Sequence, residues 1–152
     1  MEISDQQYLY SRIPHRPPFL WLDEITDISE EGIRAKKTIP ANLDLFQGHY
    51  PDYPIVPGVL LCEAVFQAGA VLISELMHKQ CQDAQPEQGG GIPVLTRILN
   101  ARFKREVGPE DTIEIAASLV EKLGAAWFLK GNVRVRGKIA VQVEFACALK
   151  GD

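Results

Sequence analysis

Between residues 58 and 77 the chain is almost unbroken in apolar residues, with Glu63, Gln67, Ser74 and Glu75 as the polar interruptions. A helix apolar around nearly its whole circumference belongs in the middle of a fold. Four polar interruptions are too many for a comfortable membrane span. The pattern predicts a buried helix that starts just after Pro57-Gly58 and weakens at Met77-His78-Lys79, where basic groups suit the negative end of the helix dipole. Further along, the period changes from helical to alternating. In residues 112–119 and 141–149 bulky apolar residues recur at every second position, and Val133 and Val135 alternate with Asn132, Arg134 and Arg136 in the same way. That is the period of half-buried antiparallel strands. Residues 19–25, 32–39 and 99–107 are further strand candidates, joined by turns such as Gly108-Pro109-Glu110-Asp111 and Gly137-Lys138. The polar stretch 81–91 ends in three glycines and predicts a loop. A sheet of roughly five or six strands around one long helix is an α+β arrangement, expected as a single domain over residues 1–152 without internal repeats.

Composition narrows the class. With 46% hydrophobic and 24% charged residues, the 152-residue chain has the make-up of a globular domain with a real core. Its net charge of -4 argues against nucleic acid as a partner, because phosphate recognition needs a cationic face. An anionic partner must therefore meet a local basic patch. Cys62, Cys81 and Cys147 are odd in number and far apart, with no C-x-x-C pair, which fits reduced thiols better than disulfides or a metal site. Cys62 and Cys147 are expected in the core. The first residues, Met1-Glu2-Ile3-Ser4-Asp5, lack the basic flank and apolar stretch of a signal peptide, so a cytoplasmic location is expected.

The chemistry concentrates in residues 46–67. Pro51, Pro54 and Pro57 restrict the backbone between His49 and the helix start, so His49 is held in a fixed relation to that start. Glu63 lies little more than one turn into the helix, with Val59 and Gln67 on its face at the i, i+4 spacing. A carboxylate on so apolar a helix is costly to bury ionised and is suited to hold a proton as a general acid. A histidine is the natural base to face it. The backbone N–H groups at Gly58 and Val59 open the helix, where unpaired donors and the dipole favour a developing oxyanion. A loop histidine is more often structural, and a helix glutamate more often points at solvent. The residues alone therefore leave a catalytic pair and two unrelated structural side chains both open.

Gly48-His49-Tyr50-Pro51, Pro54-Ile55-Val56-Pro57-Gly58-Val59 and Glu63-Ala64-Val65-Phe66-Gln67 closely resemble, in type and spacing, the active-site signature of the 3-hydroxyacyl-acyl-carrier-protein dehydratases of bacterial type II fatty acid synthesis. Ile13-Pro14-His15-Arg16-Pro17-Pro18-Phe19-Leu20 resembles that family's opening, and Ala101-Arg102-Phe103-Lys104-Arg105-Glu106-Val107 a later strand. The resemblance spans nearly the whole chain. It implies the hot-dog fold, a curved antiparallel sheet wrapped around one long helix, built as a homodimer whose sheets join and which often groups into a trimer of dimers. It also implies an active site at the dimer interface, with the histidine of one subunit facing the acid of the other. Carried over, His49 removes the C2 proton, Glu63 protonates the departing 3-hydroxyl, and the helix start at Gly58 and Val59 holds the thioester oxygen. No metal and no separate cofactor are implied; the substrate rides on the phosphopantetheine of acyl carrier protein. Glutamate at position 63, where the dehydratase/isomerase branch has aspartate, favours the dehydratase-only branch.

Asp52, Val56 and Glu24 depart from the family pattern of glycine, methionine and arginine, and bear on the substrate more than on the chemistry. Arg102, Lys104 and Arg105 form a basic cluster on a predicted strand, suited to the phosphopantetheine phosphate or the acidic carrier, or else a solvated face. His15 and Arg16 are read as structural members of a proline-rich turn. Lys36 and Lys37 are read as an exposed pair, and Tyr50, Phe46 and Phe66 more as core than as a tunnel lining. Two rival functions share the fold: an acyl thioesterase, and a non-catalytic acyl-carrier-binding protein.

Overall fold

A computed structural model describes residues 5–81 and 91–150. Its elements in chain order are α1 (Asp5–Arg12), β1 (Glu24–Ile28), β2 (Gly32–Thr38), a 3-10 turn at Asp44–Gln47, α2 (Gly58–Cys81), and β3 (Ile92–Phe103), β4 (Thr112–Leu123), β5 (Ala126–Val135) and β6 (Lys138–Lys150). The six strands form one antiparallel sheet in the order β1-β2-β4-β5-β6-β3.

The sheet packs its inward row against α2. Ile113, Ile115 and Ala117 of β4, Leu129 and Val133 of β5, and Val143, Phe145 and Cys147 of β6 are buried there with Leu61, Cys62, Val65 and Val71 of the helix. Alternation of these residues with polar ones is what the sequence pattern predicts for strands with one face in the core. At Gly131 the helix comes so close that a Cβ would overlap Val65 and the carbonyl of Ala116. The segment Gly58–Gln80 is long and apolar enough to cross a membrane by length and composition, and it is mostly buried inside the protein. Its burial agrees with its reading as a central helix, and Cys62 and Cys147 are the core residues expected.

Several expectations need correcting. Residues 19–23 are not strand; they run beneath the helix, with Leu20, Trp21 and Leu22 buried, and β1 begins only at Glu24. Strand β3 starts at Ile92 and ends at Phe103, so residues 104–107 lie beyond it, tied back by Lys104 N–H to Ala140 C=O (2.7 Å). Helix α1 was not foreseen; its one fully buried residue is Leu9, and tertiary contacts hold it. Lys37 is not exposed: β2 turns Ile33, Ala35 and Lys37 to the same buried side, and the ammonium reaches Asp23 Oδ1 at 3.1 Å. The expected loop at 81–91 lies, over residues 82–90, outside the described residues.

Candidate active site

His49 sits in the connection between the 3-10 turn and α2. Its backbone N–H donates to Leu45 C=O (2.9 Å) and its own carbonyl accepts from Ile55 N–H (3.1 Å), closing the proline-restricted loop on itself. Val56 N–H then bonds Val107 C=O at 2.7 Å, which anchors the loop to the chain after β3. The imidazole stacks on Tyr50, ring centres 4.1 Å apart, across a cis His49–Tyr50 peptide. Its Nδ1 lies 2.9 Å from Ile55 C=O. A carbonyl can only accept, so Nδ1 carries the proton, and in the neutral ring Nε2 is left as a free lone pair.

Glu63 is on the second turn of α2, with 23% of its side chain exposed. Gln67, one turn on and completely buried, donates from Nε2 to Glu63 Oε2 (3.0 Å) and to Phe19 C=O (2.9 Å), and accepts Trp21 N–H on Oε1 (2.8 Å). The amide is thus used at both ends, fixing the acid and fastening residues 19–21 to the helix. On the same Glu63 oxygen, His15 Nε2 approaches to 3.6 Å. His15 therefore does more than shape its turn, which is the part Arg16 plays by donating to the carbonyls of Tyr10, Ile13 and His15. Neither Gln67's clasp nor His15's approach was foreseen, although the i, i+4 spacing of Glu63 and Gln67 was visible.

The first N–H groups of α2 remain open. Gly58 and Val59 have no acceptor for their N–H groups among the described residues, and Val59 is 69% exposed. Phe103 of β3 lies over Gly58 so closely that a Cβ there would come within 2.6 Å of its ring. A side chain at position 58 would therefore have to displace the Phe103 ring where the sheet edge meets the helix start. Within one chain His49 and Glu63 are not partners: the first faces Ile55 and Tyr50, the second Gln67 and His15.

The basic cluster is divided. Arg102 faces an open trough of about 670 Å³ on the outer side of the sheet, together with Arg34, Asn132 and Gln142. Lys104 and Arg105 instead line a separate depression with Phe103 and Arg136, beside the start of α2. Neither His49 nor Glu63 lines these two depressions or the small one between α1 and β2.

An antiparallel sheet packed around one long helix, with a histidine loop leading into the helix and a clasped glutamate on its second turn, is the hot-dog architecture. The chain matches the FabA-like domain over residues 13–144. It is 39% identical to the 3-hydroxyacyl-[acyl-carrier-protein] dehydratase FabZ of Clostridium perfringens strain SM101, covering 90% of this chain and 92% of that protein. It is 40% identical to the FabZ of Bacillus subtilis strain 168, over 95% of this chain and 97% of that one. This chain therefore belongs to the 3-hydroxyacyl-acyl-carrier-protein dehydratase family. Among solved structures, the dehydratase heterocomplex ApeI:P of Xenorhabdus doucetiae superposes with a TM-score of 0.75 at 13% identity, over 100% of this chain and 94% of that one. A hypothetical thioesterase with coenzyme A from Streptococcus pneumoniae TIGR4 superposes at 0.62 with 12% identity, over 98% of each chain. At such identities these two share the fold.

Proposed function

We propose that this chain is one catalytic domain that removes water from 3-hydroxyacyl groups carried by acyl carrier protein, giving trans-2-enoyl thioesters for fatty acid biosynthesis in the cytoplasm. His49 Nε2 takes the C2 proton. The C2 electron pair forms the double bond to C3 as the C3–O bond breaks, and the proton of Glu63 leaves with the hydroxyl as water. Negative charge that develops on the thioester oxygen meets the N–H groups of Gly58 and Val59. The two side chains end with opposite protonation to their start, and a proton returned from His49 to Glu63 through solvent resets them. The observation that carries this reading is the Nδ1 contact to Ile55, which leaves a lone pair on Nε2 in the neutral ring.

The pair works across a homodimer. Ile92, Leu95, Ile98, Leu99 and Phe103 of β3 are all exposed on a strand at the edge of the sheet. A long apolar edge is a liability unless another strand covers it, and a second copy pairing there extends the sheet and walls the acyl chain. Lys104 and Arg105, beside the helix start, meet the phosphopantetheine phosphate or the acidic carrier. Arg102, on the outer face, is not part of that contact.

The test uses an enoyl thioester, followed for hydration and for free thiol. His49→Ala and Glu63→Gln should each lose about 10²–10⁴-fold in rate, with no thiol released by the parent. Unfolding and refolding the two inactive variants together should restore about a quarter of parental activity, because half the dimers are mixed and each mixed dimer has one intact cross-subunit site. Thiol release at the hydration rate refutes dehydration, and absence of any restoration refutes the shared site.

A further inference from the structure

Glu63 has two carboxyl oxygens, and both of its polar side-chain contacts fall on one of them. Gln67 Nε2 donates to Oε2 at 3.0 Å, and His15 Nε2 faces the same Oε2 at 3.6 Å. Oε1 has no partner among the described residues. His15 itself is half-buried, and its Nδ1 is buried without a hydrogen-bond partner. A buried N–H with no acceptor is rarer and costlier than a buried lone pair with no donor. The tautomer that fits has the proton on Nε2, directed at Glu63, and the bare lone pair on Nδ1.

Burial holds His15 below its ordinary imidazole value of 6.5, against an opposing pull from Glu63 and with help from Arg16. At neutral pH the ring is uncharged. A cation at that position would strip the acid of its proton, whereas a neutral N–H only directs it. The ring is kept there by Arg16, whose guanidinium holds the Tyr10, Ile13 and His15 carbonyls and stacks on Tyr10 at 3.9 Å.

We propose that His15 is a positioning residue: when substrate binds, its Nε2–H joins the Gln67 amide on Glu63 Oε2, so that the protonated acid carries its proton on Oε1, the oxygen left without a partner among the described residues and available to the departing hydroxyl. The inference rests on the reading of Glu63 as the general acid. The separation exceeds a formed hydrogen bond, and such contacts in unliganded sites tighten when substrate binds.

The experiment compares His15→Leu, which keeps the bulk and removes the donor, with His15→Gln, whose side-chain N–H reaches the position of Nε2. Both are measured in the parent and in Glu63→Gln, with melting temperature as the control for folding. His15→Leu should lower kcat about three- to tenfold with KM nearly unchanged, the size of one neutral hydrogen bond. His15→Gln should recover most of that loss, and in Glu63→Gln the leucine change should add nothing. Parental kcat in a folded His15→Leu, equal kcat losses in the leucine and glutamine variants, or a change confined to KM each overturn the proposal. Full activity in Glu63→Gln overturns instead the assignment of the acid, so the two failures are distinct.

Discussion

Gln67 is where stability and chemistry meet, and Gln67→Met separates them. Methionine has nearly the length of glutamine and fills the same buried space, but it offers no donor and no useful acceptor. Three groups lose their partner: Trp21 N–H, bonded at 2.8 Å, Phe19 C=O at 2.9 Å and Glu63 Oε2 at 3.0 Å. Trp21 is buried, so its stranded N–H costs about 1–3 kcal/mol. Phe19 and Glu63 are partly open to water and add little, while the apolar thioether offsets some of the loss. A net destabilisation of about 1–3 kcal/mol follows, or roughly 2–4 °C in Tm for each kcal/mol in a domain of this size. Urea unfolding at one fixed protein concentration reads it, which holds any contribution from self-association constant. Hydrogen exchange localises it, because the Trp21 amide should lose protection while amides in β5 keep theirs. An unchanged urea midpoint with Trp21 still protected refutes the claim that this amide fastens residues 19–21 to α2.

Two more predictions test separate parts of the molecule. Glu75 accepts from Arg12 Nε (2.7 Å) and Tyr8 (2.8 Å), and this cluster docks α1 on α2. Burial pushes the Glu75 carboxyl up, but the Arg12 and Tyr8 hydrogen bonds outweigh it and hold the group below its ordinary 4.5, while Tyr8 is pushed up to about 12 by burial and then by Glu75. A carboxyl depressed in the folded state adds stability that is fully present above pH 4.5 and is lost as the pH falls through its folded value. Glu75→Gln should therefore flatten the decline of Tm on the acid side of that pH, and an identical pH profile would refute the assignment. Burial, with Glu63 adding to it, pushes the Cys147 thiol up to about 11. Alkylation of the native protein at pH 8, mapped by peptide mass, should leave Cys147 unlabelled until the chain is unfolded; prompt native labelling would contradict its burial.

What could be read from the sequence follows from which residues the fold half-buries. Strands β4 and β6 present one face to α2, so Ile113, Ile115 and Ala117, or Val141, Val143 and Phe145, alternate with polar residues and betray themselves. Strand β3 exposes apolar residues on both faces at the sheet edge, and Ile98-Leu99 stand side by side, so it has no clean period to read. Helix α1 is polar nearly throughout, and its place is set by Tyr8 and Arg12 reaching Glu75, far along the chain. Lys37 was missed for another reason. Its position is in step with Ile33, Ala35 and Ile39 and so points inward, whereas a lysine as a residue type favours the surface.

The candidate site follows the same rule. His49, the helix start and Glu63 lie within one short segment, where prolines and helical spacing fix their relation, so a local reading can nominate them. Gln67 shares that helix, yet its role depends on the Phe19 carbonyl and the Trp21 N–H, which arrive from outside it. His15 comes from the same outlying stretch, held by Arg16 on one side and turned to Glu63 on the other. Local spacing can therefore nominate Glu63, but the contacts that hold Gln67 and approach the carboxylate come from another part of the chain. Residues 13–21 close over α2 beside the second turn because Leu20 and Trp21 must be buried, and in closing they carry His15 and the two backbone partners of Gln67 to the side of Glu63. The burial that folds the segment is thus also what orients the carboxyl.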